Sequence, residues 1–123
     1  MSLHQSGEDY LEAILELREE KGMVRSIDVA HHLNYSKPSV SRAVAILKSS
    51  GYITISEDGH LELTTEGEQV ARSIYERHHF LRQWLIQLGV SPETAEEDAC
   101  KIEHNISEET FQCMKRHVER DTF

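Results

Sequence analysis

The chain has 123 residues and a mass of 14.2 kDa, enough for one small domain with a helical appendage but too little for a large multidomain enzyme. Its composition, 38% hydrophobic and 28% charged with a net charge of −9, excludes a disordered chain and a uniformly basic nucleic-acid-binding protein. The apolar runs are far shorter than the roughly 20 residues that span a bilayer, and no signal-peptide pattern is present, so we expect a cytoplasmic protein without a membrane partner.

The spacing of apolar residues predicts three helices in the first half of the chain. They cover Asp9–Glu20, Ile27–Leu33, and a segment that begins after Ser36 and ends near Gly51. Ser6 and Ser26 are expected to cap the first two helices. Pro38 falls in the first turn of the third helix, where its missing N–H does no harm.

Two alternating segments follow, Tyr52–Ser56 and His60–Thr64, joined by Glu57-Asp58-Gly59. This pattern predicts a β-hairpin with Asp-Gly in its turn. Helix, short helix, turn, helix and hairpin together predict a winged helix-turn-helix.

The second half of the chain predicts further helices. A long helix begins near Thr65 and ends at Gly89, and its apolar residues Trp84, Leu85 and Leu88 indicate contact with a second subunit. A helix capped by Ser91 runs to about Ile106, and the last one begins at Ser107. The fold class is therefore mostly α, with a winged helix-turn-helix in residues 1–70 and a helical domain in residues 71–123.

The basic residues concentrate in the winged helix. Between Lys21 and Ser56 there are five cations and a single acid, Asp28, and the local field decides contact with phosphate. Arg42 is the best candidate for reading bases, because a guanidinium can pair bidentately with guanine. The whole set of candidate DNA-binding residues is Arg25, Ser36, Lys37, Pro38, Ser39, Ser41, Arg42 and Lys48. The alternative is the solvated face of a protein-binding winged helix.

Cys100, Glu103 and His104 share one face of a predicted helix. A thiolate, a carboxylate and an imidazole there suit a divalent transition metal. Asp9 and Glu12 share a face of the first helix, and His78 lies among apolar positions of the long helix. Taken singly, each is more often structural: a half-buried thiol, an acidic pair near a helix N-terminus, or a solvated histidine.

The sequence resembles the diphtheria toxin repressor family of metal-dependent transcriptional regulators over nearly its whole length. The motifs that carry the resemblance are Glu8-Asp9-Tyr10-Leu11-Glu12, Val29-Ala30-His31-His32-Leu33, Ser36-Lys37-Pro38-Ser39-Val40-Ser41, Leu63-Thr64-Thr65-Glu66-Gly67, Arg77-His78, and Cys100 to Ser107. The resemblance implies a helical metal-binding and dimerisation domain after the winged helix. It also implies a homodimer that binds double-stranded operator DNA and represses metal-homeostasis genes when loaded with Mn(II) or Fe(II), one or two ions per subunit.

The resemblance places the metal ligands at Asp9, Glu12, His78, Cys100, Glu103 and His104. Asp9 and Glu12, with a chain that ends at Phe123, resemble the short two-domain manganese-type branch. Cys100 resembles the iron-type branch, since the manganese type carries glutamate there. The iron-type ancillary site has a carboxylate one turn after His78, where this chain has Arg82.

Two other functions remain open on the sequence alone. One is a metal-independent winged-helix regulator that senses a small molecule or oxidation of Cys100. The other is a small metallohydrolase, against which the sequence shows neither a nucleophile motif nor a phosphate loop. We therefore expect a protein that is not an enzyme. The two cysteines, Cys100 and Cys113, are expected to be free thiols or metal ligands.

Overall fold

The computed structural model describes residues 5–121 and divides within α4 into two compact units, the first ending at Ser73 and the second beginning at Ile74. The elements are α1 (Gln5–Lys21), α2 (Ser26–Leu33), α3 (Lys37–Ser49), β1 (Ile53–Ile55), β2 (Leu61–Leu63), α4 (Thr65–Gln87), α5 (Pro92–Glu103) and α6 (Glu108–Asp121). The predicted mostly helical fold is confirmed. None of the helices in the described range combines the length and apolarity needed to cross a membrane.

The first unit has an apolar core to which every element from α1 to β2 contributes. Leu11, Val29, Val40, Leu47 and Ile53 are each at most 2% exposed. α1 packs against α2, α3 and β2, so the first helix belongs to the body of the winged helix. Ser6, predicted as the N-cap of α1, lies inside this helix instead.

Short polar segments set the bounds of α2 and α3. α2 begins one residue earlier than predicted, at Ser26, with the backbone N–H of Arg25 donating to Asp28 Oδ2 at 2.9 Å. Asn34 adopts the left-handed conformation at φ 58° and ends α2. Ser36 then caps α3, its Oγ accepting from the backbone N–H of Ser39 at 3.3 Å.

The hairpin is antiparallel and pairs Ile53 with Leu63, Thr54 with Glu62, and Ile55 with Leu61. The strands are shorter than the predicted segments, and a bridge between Arg25 and His60 extends the pairing toward the α1–α2 loop. α4 begins directly beside the hairpin. A Cβ on Gly67 would lie 1.9 Å from the carbonyl oxygen of Tyr52, so this close approach requires glycine.

The second unit consists of the later part of α4 with α5 and α6. Ile74, Leu81, Ala95, Ala99 and Phe111 are its buried apolar residues. α5 begins at Pro92 behind the predicted cap, since Ser91 Oγ accepts from the backbone N–H of Thr94. α5 ends at Glu103, short of the predicted end near Ile106, and Ser107 Oγ accepts from the backbone N–H of Thr110 in the first turn of α6.

Candidate metal centre and nucleic-acid interface

The carboxylate of Glu103 is the centre of a polar cluster in the second unit. Its side chain is 0% exposed and faces two imidazoles: Oε2 lies 2.8 Å from His78 Nδ1, and Oε1 lies 3.2 Å from His104 Nε2. Although burial opposes ionisation, the neighbouring imidazoles of His104 and His78 lower the pKa of Glu103 below its ordinary value. Buried charges in proteins are either paired with an opposite charge or coordinate a metal ion, and without an ion the imidazoles fill the first of these roles for Glu103.

His78 lies between two carboxylates. Its Nδ1–H donates to Glu103 Oε2 at 2.8 Å, and its Nε2–H donates to Glu96 Oε1 at 2.9 Å. The hydrogen bond to Glu103 is the largest cause that raises the pKa of His78 from 6.5 to about 9. In the absence of a metal the imidazole is therefore a cation near neutral pH.

Three of the predicted ligands meet at the end of α5. Cys100, Glu103 and His104 each offer a ligand atom, and these atoms lie within 4.8 Å of one another. His104 occupies the C-cap position of α5, so the helix end places its imidazole beside the carboxylate of Glu103. Cys100 is exposed, which allows solvent to reach its thiol.

Arg77 holds the segment that follows α5. The guanidinium is 11% exposed and its Nη1 donates to the carbonyl oxygens of Glu103 and Ile106 at 3.1 and 2.9 Å. Its Nη2 donates to Glu108 Oε2 at 2.6 Å. The carbonyl of the last residue of α5 and that of Ile106 are thereby satisfied by a side chain instead of a further helical turn, which explains why the helix ends before Ile106.

The donor set in the second unit fits a divalent transition metal. It combines the thiol of Cys100, the buried carboxylate of Glu103 and the imidazoles of His78 and His104, which are the three ligand types that such ions take in proteins. The pKa of Glu103 is lowered, which favours the carboxylate form that binds an ion, whereas the imidazole of His78, whose pKa is raised, has to lose a proton first.

Asp9 and Glu12 lie three residues apart on α1, in the first unit, and both are partly buried. The spacing places the two carboxylates on the same face of the helix, as predicted.

The candidate DNA-binding residues lie on the first unit. On and just before α3, Ser36, Lys37, Pro38, Ser41, Arg42 and Lys48 are exposed and Ser39 is partly buried. Arg25 is exposed at the start of α2. The hydroxyls of Ser36 and Ser39 hydrogen-bond to each other at 2.8 Å, so these two serines help to shape the first turn of α3.

Sequence reasoning missed Ile46 and Glu96. Ile46 is 62% exposed on α3, one turn after Arg42. In the sequence, its exposure could be inferred only because it falls outside the buried stripe formed by Val40, Val44 and Leu47. Glu96 contacts His78, and its signal is the seven-residue spacing to Glu103, which places both carboxylates on one face of α5.

Two family models together match nearly the whole chain. The model described as "Iron dependent repressor, N-terminal DNA binding domain" matches residues 2–61. The model described as "Iron dependent repressor, metal binding and dimerisation domain" matches residues 64–122.

Individual relatives agree with these matches. The transcriptional regulator MntR of Escherichia coli O157:H7 is 37% identical over 113 residues, which are 92% of this chain and 73% of that protein. IdeR of T. acidophilum has a crystal structure with a TM-score of 0.79 and 31% identity, covering 100% of this chain and 56% of its own. The structure of the manganese regulator SloR gives a TM-score of 0.82 and 25% identity over 97% of this chain and 55% of its own. The chain thus spans about half the length of these two solved structures.

Proposed function

The chain belongs to the iron-dependent repressor family, the diphtheria toxin repressor family that its sequence resembles, and from this premise we propose that it is a transcriptional repressor that binds operator DNA as a homodimer when loaded with Mn(II) or Fe(II). Members of this family are metal-dependent transcriptional regulators. The observation that carries the proposal is the fully buried carboxylate of Glu103, faced by two imidazoles and close to the thiol of Cys100.

The proposed ligands are Asp9, Glu12, His78, Cys100, Glu103 and His104. The contacts within the second unit support His78, Cys100, Glu103 and His104, whereas the inclusion of Asp9 and Glu12 rests on the resemblance. One or two ions per subunit are compatible with six ligands. A bound divalent ion would supply positive charge that neutralises the carboxylates and the thiolate.

The proposed regulation follows from where α1 packs. Leu11 and Ile14, on the same helix as Asp9 and Glu12, are buried in the core of the winged helix. Metal binding by Asp9 and Glu12 would therefore affect α1, which packs against the recognition helix α3. In a dimer, the energy of metal binding sets the spacing of two recognition helices, which must fall about one DNA turn apart.

The proposed DNA contacts are those of a recognition helix. We propose that Arg42 reads guanine and that Ile46, one turn later, contacts a thymine methyl group. Lys37, Lys48 and Arg25 are proposed to contact phosphates, as are the hydroxyls of Ser36, Ser39 and Ser41. Pro38 lies in the first turn of α3. The match to a metal binding and dimerisation domain supports a dimer. We propose that Trp84, Leu85 and Leu88 form its interface, and the 65% exposure of Leu88 supports this.

The test is the metal dependence of DNA binding. A duplex is first selected from a random pool with Mn(II)-loaded protein, and its affinity is then measured with Mn(II), with Fe(II) under anaerobic conditions, and with EDTA. We expect the chelator to weaken binding by roughly 5- to 150-fold, the usual range of coupling between two sites.

The matched variants lie on the same helix. Glu103→Gln should remove the response to metal, and Glu97→Gln, which changes an exposed carboxylate of α5, should retain it. Equal affinity with and without metal would contradict the proposal. Equal affinity would favour a metal-independent regulator that responds to a small molecule or to oxidation of Cys100. Purified protein without bound metal would confirm this alternative.

A further inference from the structure

Glu96 bridges two residues of α4 that are one turn apart. Its Oε1 lies 2.9 Å from His78 Nε2, and its Oε2 lies 2.8 Å from Arg82 Nε. Each carboxylate oxygen thus has its own cationic partner, and the Arg82 contact helps to hold the carboxylate beside the imidazole. The side chain of Glu96 is 55% exposed, whereas that of Glu103 on the other side of the imidazole is fully buried.

The two carboxylates fix the plane and the direction of the His78 ring. Nδ1 faces Glu103, which lies beside Cys100 and His104, and Nε2 faces Glu96 and Arg82. A metal-binding imidazole has one nitrogen with a free lone pair and one that keeps its N–H, and this N–H is usually donated to a carboxylate. The contacts of His78 therefore distinguish the two nitrogens before any ion is bound.

We propose that Glu96, held by Arg82, is a positioning residue that keeps the Nε2–H of His78 and so makes Nδ1 the metal-binding nitrogen. This inference rests on the proposed function, in which His78 is a ligand. Glu96 is not itself a ligand, because both of its oxygens are engaged and the guanidinium of Arg82 places a positive charge where a second cation would have to approach.

The experiment reads the His78 ring directly in the full-length protein loaded with Zn(II), a diamagnetic probe. Long-range ¹H–¹⁵N spectra identify which ring nitrogen is protonated and which is bound to the ion. We expect a protonated Nε2 and a metal-bound Nδ1 in the wild type, and a mixture of the two arrangements in Glu96→Ala. Nε2 bound to Zn(II) in the wild type would overturn the proposal.

Metal affinity gives the second readout, measured for Mn(II) by competition with a fluorescent chelator. Loss of a carboxylate that holds a ligating histidine typically weakens metal affinity by about 10- to 100-fold, and we expect this from Glu96→Ala. Glu96→Gln keeps an oxygen that can accept from Nε2–H and should recover part of the loss. The neighbouring exposed carboxylate provides the control, and Glu97→Gln should bind Mn(II) as the wild type does.

The metal count separates this inference from the function on which it rests. We expect Glu96→Ala to keep the wild-type number of ions per subunit at saturating Mn(II). A lower count would show that Glu96 is a ligand and would overturn its positioning role. An unchanged affinity in Glu96→Ala together with a loss in His78→Ala would overturn the inference alone. An unchanged affinity in His78→Ala would overturn the ligand assignment itself.

Discussion

The two units bury different kinds of side chain. The buried residues of the first unit are apolar, whereas the second unit buries Arg77 and Glu103, the two charged residues that are buried within residues 6–119. Burying apolar groups stabilises a fold under most conditions, but a buried charge stabilises it only while its partners carry the opposite charge. The comparison predicts that the stability of the first unit depends little on pH and metal, and that the stability of the second unit depends on both.

The largest effect is expected in the core of the first unit. Leu47→Ala removes a buried side chain of α3 that is 2% exposed and should lower the free energy of unfolding by about 2–5 kcal/mol. The loss should be the same with Mn(II) and with EDTA, as measured by urea unfolding. Leu47→Met, which nearly conserves volume, should cost less than about 1.5 kcal/mol. If the loss of unfolding free energy in Leu47→Ala differed between Mn(II) and EDTA, the stability of the first unit would depend on metal, contrary to the comparison.

The second prediction concerns the pH dependence of the metal-free second unit. The pKa of His78 is raised from 6.5 to about 9, chiefly by the hydrogen bond to Glu103, so the contact contributes its full stabilisation below pH 6.5. The contribution is lost as the pH rises through 9, and its size is on the order of 3 kcal/mol. Urea unfolding of EDTA-treated protein between pH 6 and about 9.5 measures the loss.

The control for this prediction is His78→Gln, which has no titrating imidazole at that position. Its unfolding free energy should change less than that of the wild type over the same range. If the unfolding free energies of the two proteins have the same slope against pH, the His78 imidazole does not cause the pH dependence. The expected electrostatic difference between the two units would then be wrong.

The same contrast explains which parts could be predicted from the sequence. Apolar periodicity predicts α3 and the hairpin because the first unit is organised by burial. Of the predicted caps, Ser91 is confirmed, whereas Ser6 and Ser26 lie inside their helices. The end of α5 was misplaced because it depends on Arg77, 26 residues earlier than Glu103. Local pattern likewise gave no indication of the bridge between Arg25 and His60.

For the candidate site, the resemblance supplied what spacing could not. Spacing brought Cys100, Glu103 and His104 to one face of a helix, but the pairing of His78 with Glu103 joins two helices. The sequence does not single out Glu96, because its spacing to Glu103 shows only that the two carboxylates share a face of α5, and its partners His78 and Arg82 lie on α4.

The third prediction tests the exposed face of the first unit. Arg42→Ala should weaken binding to the selected duplex by roughly 1–3 kcal/mol and relax the preference at one base pair, because a bidentate contact with guanine is lost. The affinity of Arg42→Ala for Mn(II) should equal that of the wild type, since Arg42 lies on α3 and outside the proposed ligand set. Binding to a panel of singly substituted duplexes provides the measurement.

Lys37→Ala is the matched variant on the same helix. As a phosphate contact, Lys37 should contribute similarly on every duplex, and its loss should reduce the slope of log affinity against log salt by about 1. If both variants lose the same affinity on every sequence, Arg42 does not read a base.

The smallest effect is expected at Cys100, the exposed member of the cluster around the buried Glu103. Thiolate is a softer ligand than carboxylate, and divalent affinity rises from Mn(II) through Fe(II) to Co(II), so Cys100 should favour iron or cobalt more than glutamate would. Cys100→Glu should therefore shift the ratio of Mn(II) to Co(II) affinity toward manganese, by roughly tenfold or less. The free energy of unfolding should change little, because Cys100 is exposed. Chelator competition with each ion measures the ratio.

An accessible metal-binding thiol is also open to oxidation. Peroxide should lower the metal affinity of the wild type, whereas Cys100→Glu should resist it. Cys113 is the matched control, since it is an exposed thiol outside the proposed ligand set, and Cys113→Ser should change neither the metal ratio nor the response to peroxide. An unchanged ratio in Cys100→Glu would remove Cys100 from the ligands. The proposed ligand set would then be Asp9, Glu12, His78, Glu103 and His104.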